Sequence, residues 1–80
     1  MNFNIDSARY WEELADIGLP LSSKEVELEY QAKCMTLAAD YYARAGKHRK
    51  AMNCRRMALV AAELIRDVID ARAERQHPVG

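Results

Sequence analysis

The chain has 80 residues, half of them apolar, and its twelve Lys and Arg residues balance its twelve Asp and Glu residues. A chain of this length forms one domain with a small core, and its thirteen alanines favour close contact between helices over bulky filling. It has no run of about 18 apolar residues and no basic start leading into a short apolar stretch, which argues against a membrane span or a secretory signal and predicts a cytoplasmic protein.

The first predicted helix spans about residues 7–17. Its apolar side chains recur at helical spacing, and Gly18 stands where a glycine commonly ends a helix. The stripe consists of Tyr10, Leu14 and Ile17, with Trp11 and Ala15 beside it. We expect this short helix to pack as a clasp on the rest of the domain.

The second predicted helix spans about residues 23–45 and has a clear start signal. Ser22 is the expected N-cap, and Glu25, three residues later, would complete a capping box. Leu21 and Val26 have the spacing of a hydrophobic staple. Apolar residues then recur at threes and fours along the segment, which predicts one buried face.

The third predicted helix spans about residues 47–76, between Gly46 and Pro78. Its inward stripe is Ala51, Cys54, Ala58, Ala61, Ile65 and Val68, with Met57, Leu64 and Ala71 alongside. Small residues near Gly46 and larger ones further along predict two long helices that touch at the turn and diverge beyond it. The sequence therefore predicts a single all-α domain over residues 1–80, an antiparallel two-long-helix hairpin with a short N-terminal helix packed across it.

The segment around Gly46 resembles a single tetratricopeptide hairpin, over about residues 35–63. The matching residues are Ala39, Tyr42, Gly46, Ala51, Ala58 and Leu59. In that repeat, small residues and a tyrosine let two antiparallel helices pack closely. The chain has His48 and Arg55 where the repeat has aromatic residues, and it has no proline after Glu63.

A second resemblance is to the small ANR-type regulators of enteric bacteria and their phages. It rests on the stretches LAADYYARAGKHRKAM and RDVIDARAERQ, an alanine-rich helix, the turn at Gly46 and the late Arg72. Proteins of that type are short, helical and bind transcription factors or nucleoid proteins. The resemblance implies a regulatory role, without assigning binding residues to this chain.

The cysteines and histidines give little support for catalysis or metal binding. Cys34 and Cys54 both fall within helical patterns, so we expect reduced, buried thiols. Their spacing to His48 and His77 matches no usual zinc pattern, and no serine or cysteine is placed to form a nucleophile and base pair with either histidine. We expect a protein that is not an enzyme and uses no cofactor.

The charges are separated along the chain. Residues 1–46 carry eight acids and four bases, a net charge of −4, whereas residues 47–80 carry eight bases and four acids, a net charge of +4. The cations concentrate at the start of the third helix, where the helix dipole disfavours positive charge. We call this group the basic cluster, and its members are Lys47, His48, Arg49, Lys50, Arg55 and Arg56.

Three interpretations of the basic cluster compete. Its side chains could simply be solvated and pair with Glu12, Glu13 and Asp16 of the first helix. Arg49, Lys50 and Arg56, with Asn53 between them, could instead bind an acidic surface of a larger protein, with Tyr42 or Met52 as an apolar anchor. Direct DNA or RNA binding is less favoured, because a neutral chain lacks the overall basic field of a phosphate-binding protein.

We therefore expect a small regulatory adaptor or inhibitor that docks on a larger protein. The alternatives are a phage-encoded inhibitor of a host nucleic-acid-handling or defence complex, and direct DNA or RNA binding through the basic end of the hairpin. The candidate partner-binding residues are Tyr42, Lys47, His48, Arg49, Lys50, Met52, Asn53, Arg55 and Arg56. Self-association into a homodimer is also expected, because the core is small and Ile65, Val68 and Ile69 lie far along the third helix.

Overall fold

The computed structural model describes the backbone of residues 2–76 and the side chains of residues 2–75. This part of the chain forms three α-helices and no strand: α1 (Phe3–Ile17), α2 (Lys24–Arg44) and α3 (His48–Gln76). The predicted all-α class is therefore confirmed. Within the same residues, no helix combines the length and the apolar character needed to cross a membrane.

Helix α1 begins four residues before the predicted start. Asn2 is its N-cap, and the Asn2 side-chain oxygen accepts hydrogen bonds from the backbone N–H groups of Asn4 (3.1 Å) and Ile5 (3.3 Å). A cap of this kind satisfies N–H groups that have no partner within the helix. At the other end the backbone N–H of Gly18 donates to the Leu14 carbonyl, as the glycine predicts.

The buried face of α1 differs from the predicted stripe. Ala8 and Ala15 are buried, and Trp11 packs partly buried against the core. Tyr10 and Ile17, which the stripe placed inward, are 56% and 72% exposed. The small alanines let the α1 backbone approach α2 closely, so the larger residues on either side are displaced to the edges.

Helix α2 is capped by Ser23, one residue later than predicted. The Ser23 hydroxyl accepts a hydrogen bond from the Val26 backbone N–H at 3.3 Å. The capping box of Ser22 and Glu25 is therefore wrong, because the hydroxyl that caps the helix belongs to Ser23. Two neighbouring serines can each serve as a cap, and the sequence pattern alone does not choose between them.

Two polar side chains of α2 form hydrogen bonds with the backbone at the end of α1. The backbone N–H of Leu19 donates to the Glu27 carboxylate at 3.2 Å, and the Gln31 amide donates to the Ala15 carbonyl at 3.3 Å. These bonds satisfy backbone groups that the end of α1 leaves without partners inside the helix. The turn from α1 to α2 is thus fixed by α2 itself.

Helices α2 and α3 run in opposite directions from the turn at Gly46. At the turn, the Lys47 backbone N–H donates to the Tyr42 carbonyl at 2.8 Å. At the far end, Arg72 of α3 forms an ion pair with Glu25 of α2 at 2.9 Å. The two helices therefore stay together along nearly the whole length of α2.

The three helices form a flat layer with α2 in the centre. Helices α1 and α3 both pack on α2, and no Cα atom of α1 lies within 8 Å of a Cα atom of α3 in the described helices. Three helices side by side at spacings of about 8–10 Å give a layer about 20–25 Å wide. The Cα atoms extend over 61 by 24 by 11 Å, as such a layer requires. The prediction that the short helix packs across both long helices is not confirmed, because α1 covers α2 alone.

The core is made mainly of small residues and one large aromatic side chain. The buried set includes Ala8, Ala15, Cys34, Met35, Ala38, Ala39, Tyr42, Ala51, Cys54 and Ala58. Tyr42 is the largest side chain that is fully buried. Cys34 and Cys54 are buried free thiols, so the expectation for both cysteines is confirmed.

Candidate interaction surface

The basic cluster lies at the end of the layer where α2 turns into α3. All six of its side chains are exposed, as are Met52 and Asn53, which were predicted beside them. Met52 is 60% exposed, which is high for an apolar side chain. The first turn of α3 contains no acidic residue that would offset the positive charge there.

The basic cluster does not pair with α1. The described residues hold two ion pairs, Lys24 with Glu27 and Arg72 with Glu25, and neither involves the cluster. The interpretation that the cations pair with Glu12, Glu13 and Asp16 therefore has no support in the ion pairs of the described residues. The charge at the start of α3 remains directed to solvent.

Tyr42 supports the basic cluster from inside the fold. Its side chain is only 1% exposed, so the prediction that it is an exposed anchor is wrong. Its hydroxyl donates a hydrogen bond to the Glu12 carboxylate of α1. The Lys50 ammonium lies over its ring, 5.4 Å from the ring centroid, in a cation–π contact. Tyr42 therefore contacts both Lys50 and Glu12, and so links the cluster to α1.

Burial changes the acid–base properties of the groups beneath the cluster. Desolvation first, and the hydrogen bond and charge of Glu12 next, raise the pKa of Tyr42 to about 12. Desolvation first, and then the charge of Glu12, raise the pKa of Cys54 above its ordinary value. Both groups thus stay protonated at neutral pH. A thiol held in this form is a poor nucleophile.

The cations surround the start of α3 rather than forming one flat face. Arg49, Asn53 and Arg56 are spaced by four and three residues, so they share one stripe of the helix. Lys50 lies on the side of Tyr42, and Arg55 lies on another side. The exposed residues His48, Met52 and Arg55 have the same spacing, so they form a second stripe beside the first, and one partner surface could contact either stripe.

An apolar groove lies between α1 and α3, above α2. It has a volume of about 390 Å³, and its lining includes Met57, Val60 and Leu64 of α3, Leu28 and Met35 of α2, and Ala15 of α1. Sequence periodicity placed Met57 and Leu64 alongside the inward stripe of α3. Because α1 lies on α2 alone, these two side chains are 54% and 44% exposed.

The walls of the groove carry opposite charges. Asp16 of α1 and Arg56 of α3 both line it, and Arg56 also belongs to the basic cluster. The cluster and the groove are therefore adjacent parts of one surface. Among residues 2–75, no group of three His, Cys, Asp or Glu side chains is placed to hold a metal ion.

The chain matches no protein family, no curated protein and no solved structure with which it was compared. The resemblances to a tetratricopeptide hairpin and to ANR-type regulators thus stay predictions. The function has to be inferred from the exposed cations, the apolar groove and the contacts of Tyr42.

Proposed function

We propose that this protein is a small, non-enzymatic interaction module that regulates a larger protein by docking its basic cluster on an acidic surface. The main support is that the cations at the start of α3 are exposed and have no ion-pair partner among the described residues. Positive charge at a helix start costs a few tenths of a kcal/mol per residue. Departures from local consistency of this kind occur preferentially at functional sites.

The cluster has the rigid support that a docking surface needs. The turn at Gly46 and the packing of α2 on α3 fix the start of the helix, and the Lys50 ammonium lies over the buried Tyr42 ring. Arg49 and Arg56 then provide forked donors for carboxylates, and Met52 provides an apolar contact. Of the two predicted anchors, Met52 is the exposed one, because Tyr42 is buried.

An acidic protein suits this surface better than a nucleic acid does. Glu12 bonds to Tyr42, whose ring lies beneath Lys50, so acidic α1 is next to the basic cluster. The first 46 residues carry a net charge of −4, and this charge would repel a phosphate backbone. A protein surface can present acids to α3 and other groups to α1.

The proposal is tested by reversing three charges, Lys50→Glu, Arg55→Glu and Arg56→Glu. A control variant, Lys33→Glu with Arg66→Glu and Arg75→Glu, changes the net charge equally at exposed positions outside the cluster. Each protein is used to capture partners from a bacterial lysate, and circular dichroism verifies that each is helical. We expect the original chain and the control to capture the same protein and the cluster variant to lose it.

Salt dependence separates the two kinds of partner. Binding to duplex DNA through about five phosphate contacts should weaken with a log–log slope near −4. A protein partner anchored partly by Met52 should respond less steeply. Capture of the same protein by the cluster variant at unchanged affinity would contradict the proposal, and a slope near −4 with duplex DNA would favour nucleic-acid binding instead.

A further inference from the structure

The side of α3 that α2 leaves uncovered carries an apolar seam. Six residues recur along it at alternating spacings of four and three: Asn53, Met57, Val60, Leu64, Asp67 and Ala71. We call them the α3 seam. This spacing is the heptad pattern of helices that pack side by side. Met57, Val60 and Leu64 at its centre are 54%, 51% and 44% exposed, so water covers the most apolar part of the seam in a single chain.

Charges of opposite sign lie on either side of Val60 along α3. Residues 47–56 contain five Lys and Arg residues and no acid, and we call them the basic arm. Residues 63–74 contain Glu63, Asp67, Asp70 and Glu74, and we call them the acidic arm. The acidic arm also contains two arginines, of which Arg72 already pairs with Glu25.

Two copies of α3 have complementary charges only when the two helices are antiparallel. Two antiparallel α3 helices that meet near Val60 place each basic arm opposite the acidic arm of the other copy. Two parallel helices would place like charges opposite each other, which is unfavourable. Like charges at positions such as Asp67, Asp70 and Glu74 also repel within one helix, and an opposing basic arm relieves that repulsion.

We propose that two copies of this chain associate through the α3 seam, with their α3 helices antiparallel about a two-fold axis near Val60. Met57, Val60 and Leu64 of each copy bury one another, and Arg56 lies between the partner's Glu63 and the partner's Asp67. A two-fold axis repeats every contact, so both ends of the seam are paired in the same way. The groove beside α3 has room for apolar side chains of the partner helix.

This proposal does not rest on the proposed function, but it has a consequence for it. The dimer covers Asn53 and Arg56, which belong to the surface proposed for docking. The acidic arm of a second copy thus occupies the place of an acidic partner protein. Only the monomer offers the complete docking surface, so self-association competes with docking.

Charge reversal in two complementary variants tests the pairing of the arms. One variant carries Arg49→Glu and Arg56→Glu, and the other carries Asp67→Lys and Asp70→Lys. Sedimentation at micromolar concentrations should show a dimer for the original chain and at least about tenfold weaker association for each variant, because like charges then face each other. An equimolar mixture of the two variants should restore the dimer. Lys33→Glu with Arg44→Glu, which reverses two exposed charges of α2, should leave dimerisation unchanged.

Single cysteines test the direction of the helices. Val60→Cys lies at the proposed axis and should form a disulfide-linked dimer on mild oxidation. Arg49→Cys should not, because its two copies lie at opposite ends of the antiparallel pair. The original chain, whose two thiols are buried, is the background control.

Three results would overturn the proposal. They are a monomeric original chain throughout the micromolar range, charge variants that dimerise as well as the original chain, and Arg49→Cys linking as readily as Val60→Cys. Recovery of the dimer in the mixture also shows that both variants fold. A monomeric original chain that still captures a protein partner would refute this inference and leave the proposed function standing.

Discussion

Two adjacent serines precede α2, and only Ser23 caps it. Its hydroxyl accepts the Val26 N–H, so Ser23→Ala should lower the free energy of unfolding by about 1 kcal/mol. Ser22→Ala is the matched control and should change it by less than about 0.5 kcal/mol, as expected for an exposed position. Urea denaturation measures both. A larger loss for Ser22→Ala would mean that the helix starts one residue earlier in solution.

The Tyr42 hydroxyl makes stability depend on pH in the alkaline range. Its ordinary pKa is 10.0, and burial with the Glu12 contact raises it to about 12. Because the folded pKa is the higher one, the protonated hydroxyl stabilises the fold fully below about pH 10. That contribution is lost as the pH rises from about 10 through about 12.

Replacement of Tyr42 by Phe should remove this dependence. At neutral pH, Tyr42→Phe should lower the free energy of unfolding by about 1–2 kcal/mol, because the half-buried Glu12 loses its donor. Between pH 9 and pH 11, stability should fall less in the variant than in the original chain. Urea denaturation at both pH values checks this, and an equal fall in the two proteins would assign the alkaline loss to other groups, such as the two thiols.

The two glycines that end the first two helical segments differ in what surrounds them. Gly18 has φ +70° and ψ −160°, a combination that essentially only glycine adopts, and an added Cβ would lie 3.1 Å from the Glu27 carboxylate. Gly46 has φ +79°, and an added Cβ would meet nothing within 4 Å. The turn at Gly18 is therefore constrained by contacts as well as by backbone conformation.

The effect of alanine at the two turns should differ accordingly. Gly46→Ala should cost about 1 kcal/mol from the left-handed backbone alone. Gly18→Ala should cost about 2–3 kcal/mol. The backbone conformation at Gly18 is more strained for alanine than that at Gly46, and the added Cβ displaces Glu27 from the Leu19 N–H. Urea denaturation of the two variants gives the comparison. Equal losses would indicate that Glu27 moves aside freely.

The sequence predicted the helices better than their starts. Gly18 and Gly46 mark the turns because the chain needs positive φ at both positions. The start at Asn2 was missed because the apolar periodicity becomes clear only further along α1. Helix starts depend on which side chain reaches a free N–H, and neighbouring candidates such as Ser22 and Ser23 are equivalent in a sequence pattern.

Helical periodicity predicted which face of a helix is buried better than it predicted which other helix packs on that face. Helical periodicity identified Ala51, Cys54 and Ala58 as buried, and they are. It could not show that α1 would pack on α2 without covering α3, which leaves Met57 and Leu64 exposed. Periodicity does not say which helix covers a stripe. For the candidate site, the sequence left open whether the cations pair with α1, and the six side chains of the basic cluster are exposed. Tyr42 was misjudged because a tyrosine serves equally well as an exposed anchor or as a buried ring with one bonded hydroxyl.

At the scale of the whole molecule, the flat layer places the two thiols at different contacts. Cys34 shares a stripe with Glu27 and Gln31, which bond to the end of α1, so it lies on the α1 side of α2. Cys54 belongs to the stripe of α3 that packs on α2. Exposure of Cys34 therefore indicates that α1 has separated from α2, and exposure of Cys54 indicates that α3 has separated from α2.

Alkylation should show that α1 opens before the hairpin does. Helix α1 has 15 residues and packs on one neighbour, whereas α2 and α3 contact each other over a longer interface. Under native conditions Cys34 should be modified faster than Cys54, and in guanidinium chloride the two rates should be equal. Mass spectrometry of digested protein separates them. Equal native rates would mean that the chain opens only as a single unit.

The central position of α2 has a consequence for how the chain folds. Among the described residues, each helix packs only on helices next to it in sequence. Helices α2 and α3 can therefore pair progressively from the Gly46 turn. Helix α1 can pack on α2 through the short segment that joins them. Few contacts require distant parts of the chain to meet first. Helical proteins with such local contacts reach the native state in microseconds to milliseconds. Newly made chains would therefore expose the core residues Ala51, Cys54 and Ala58 to wrong encounters only briefly before they are buried.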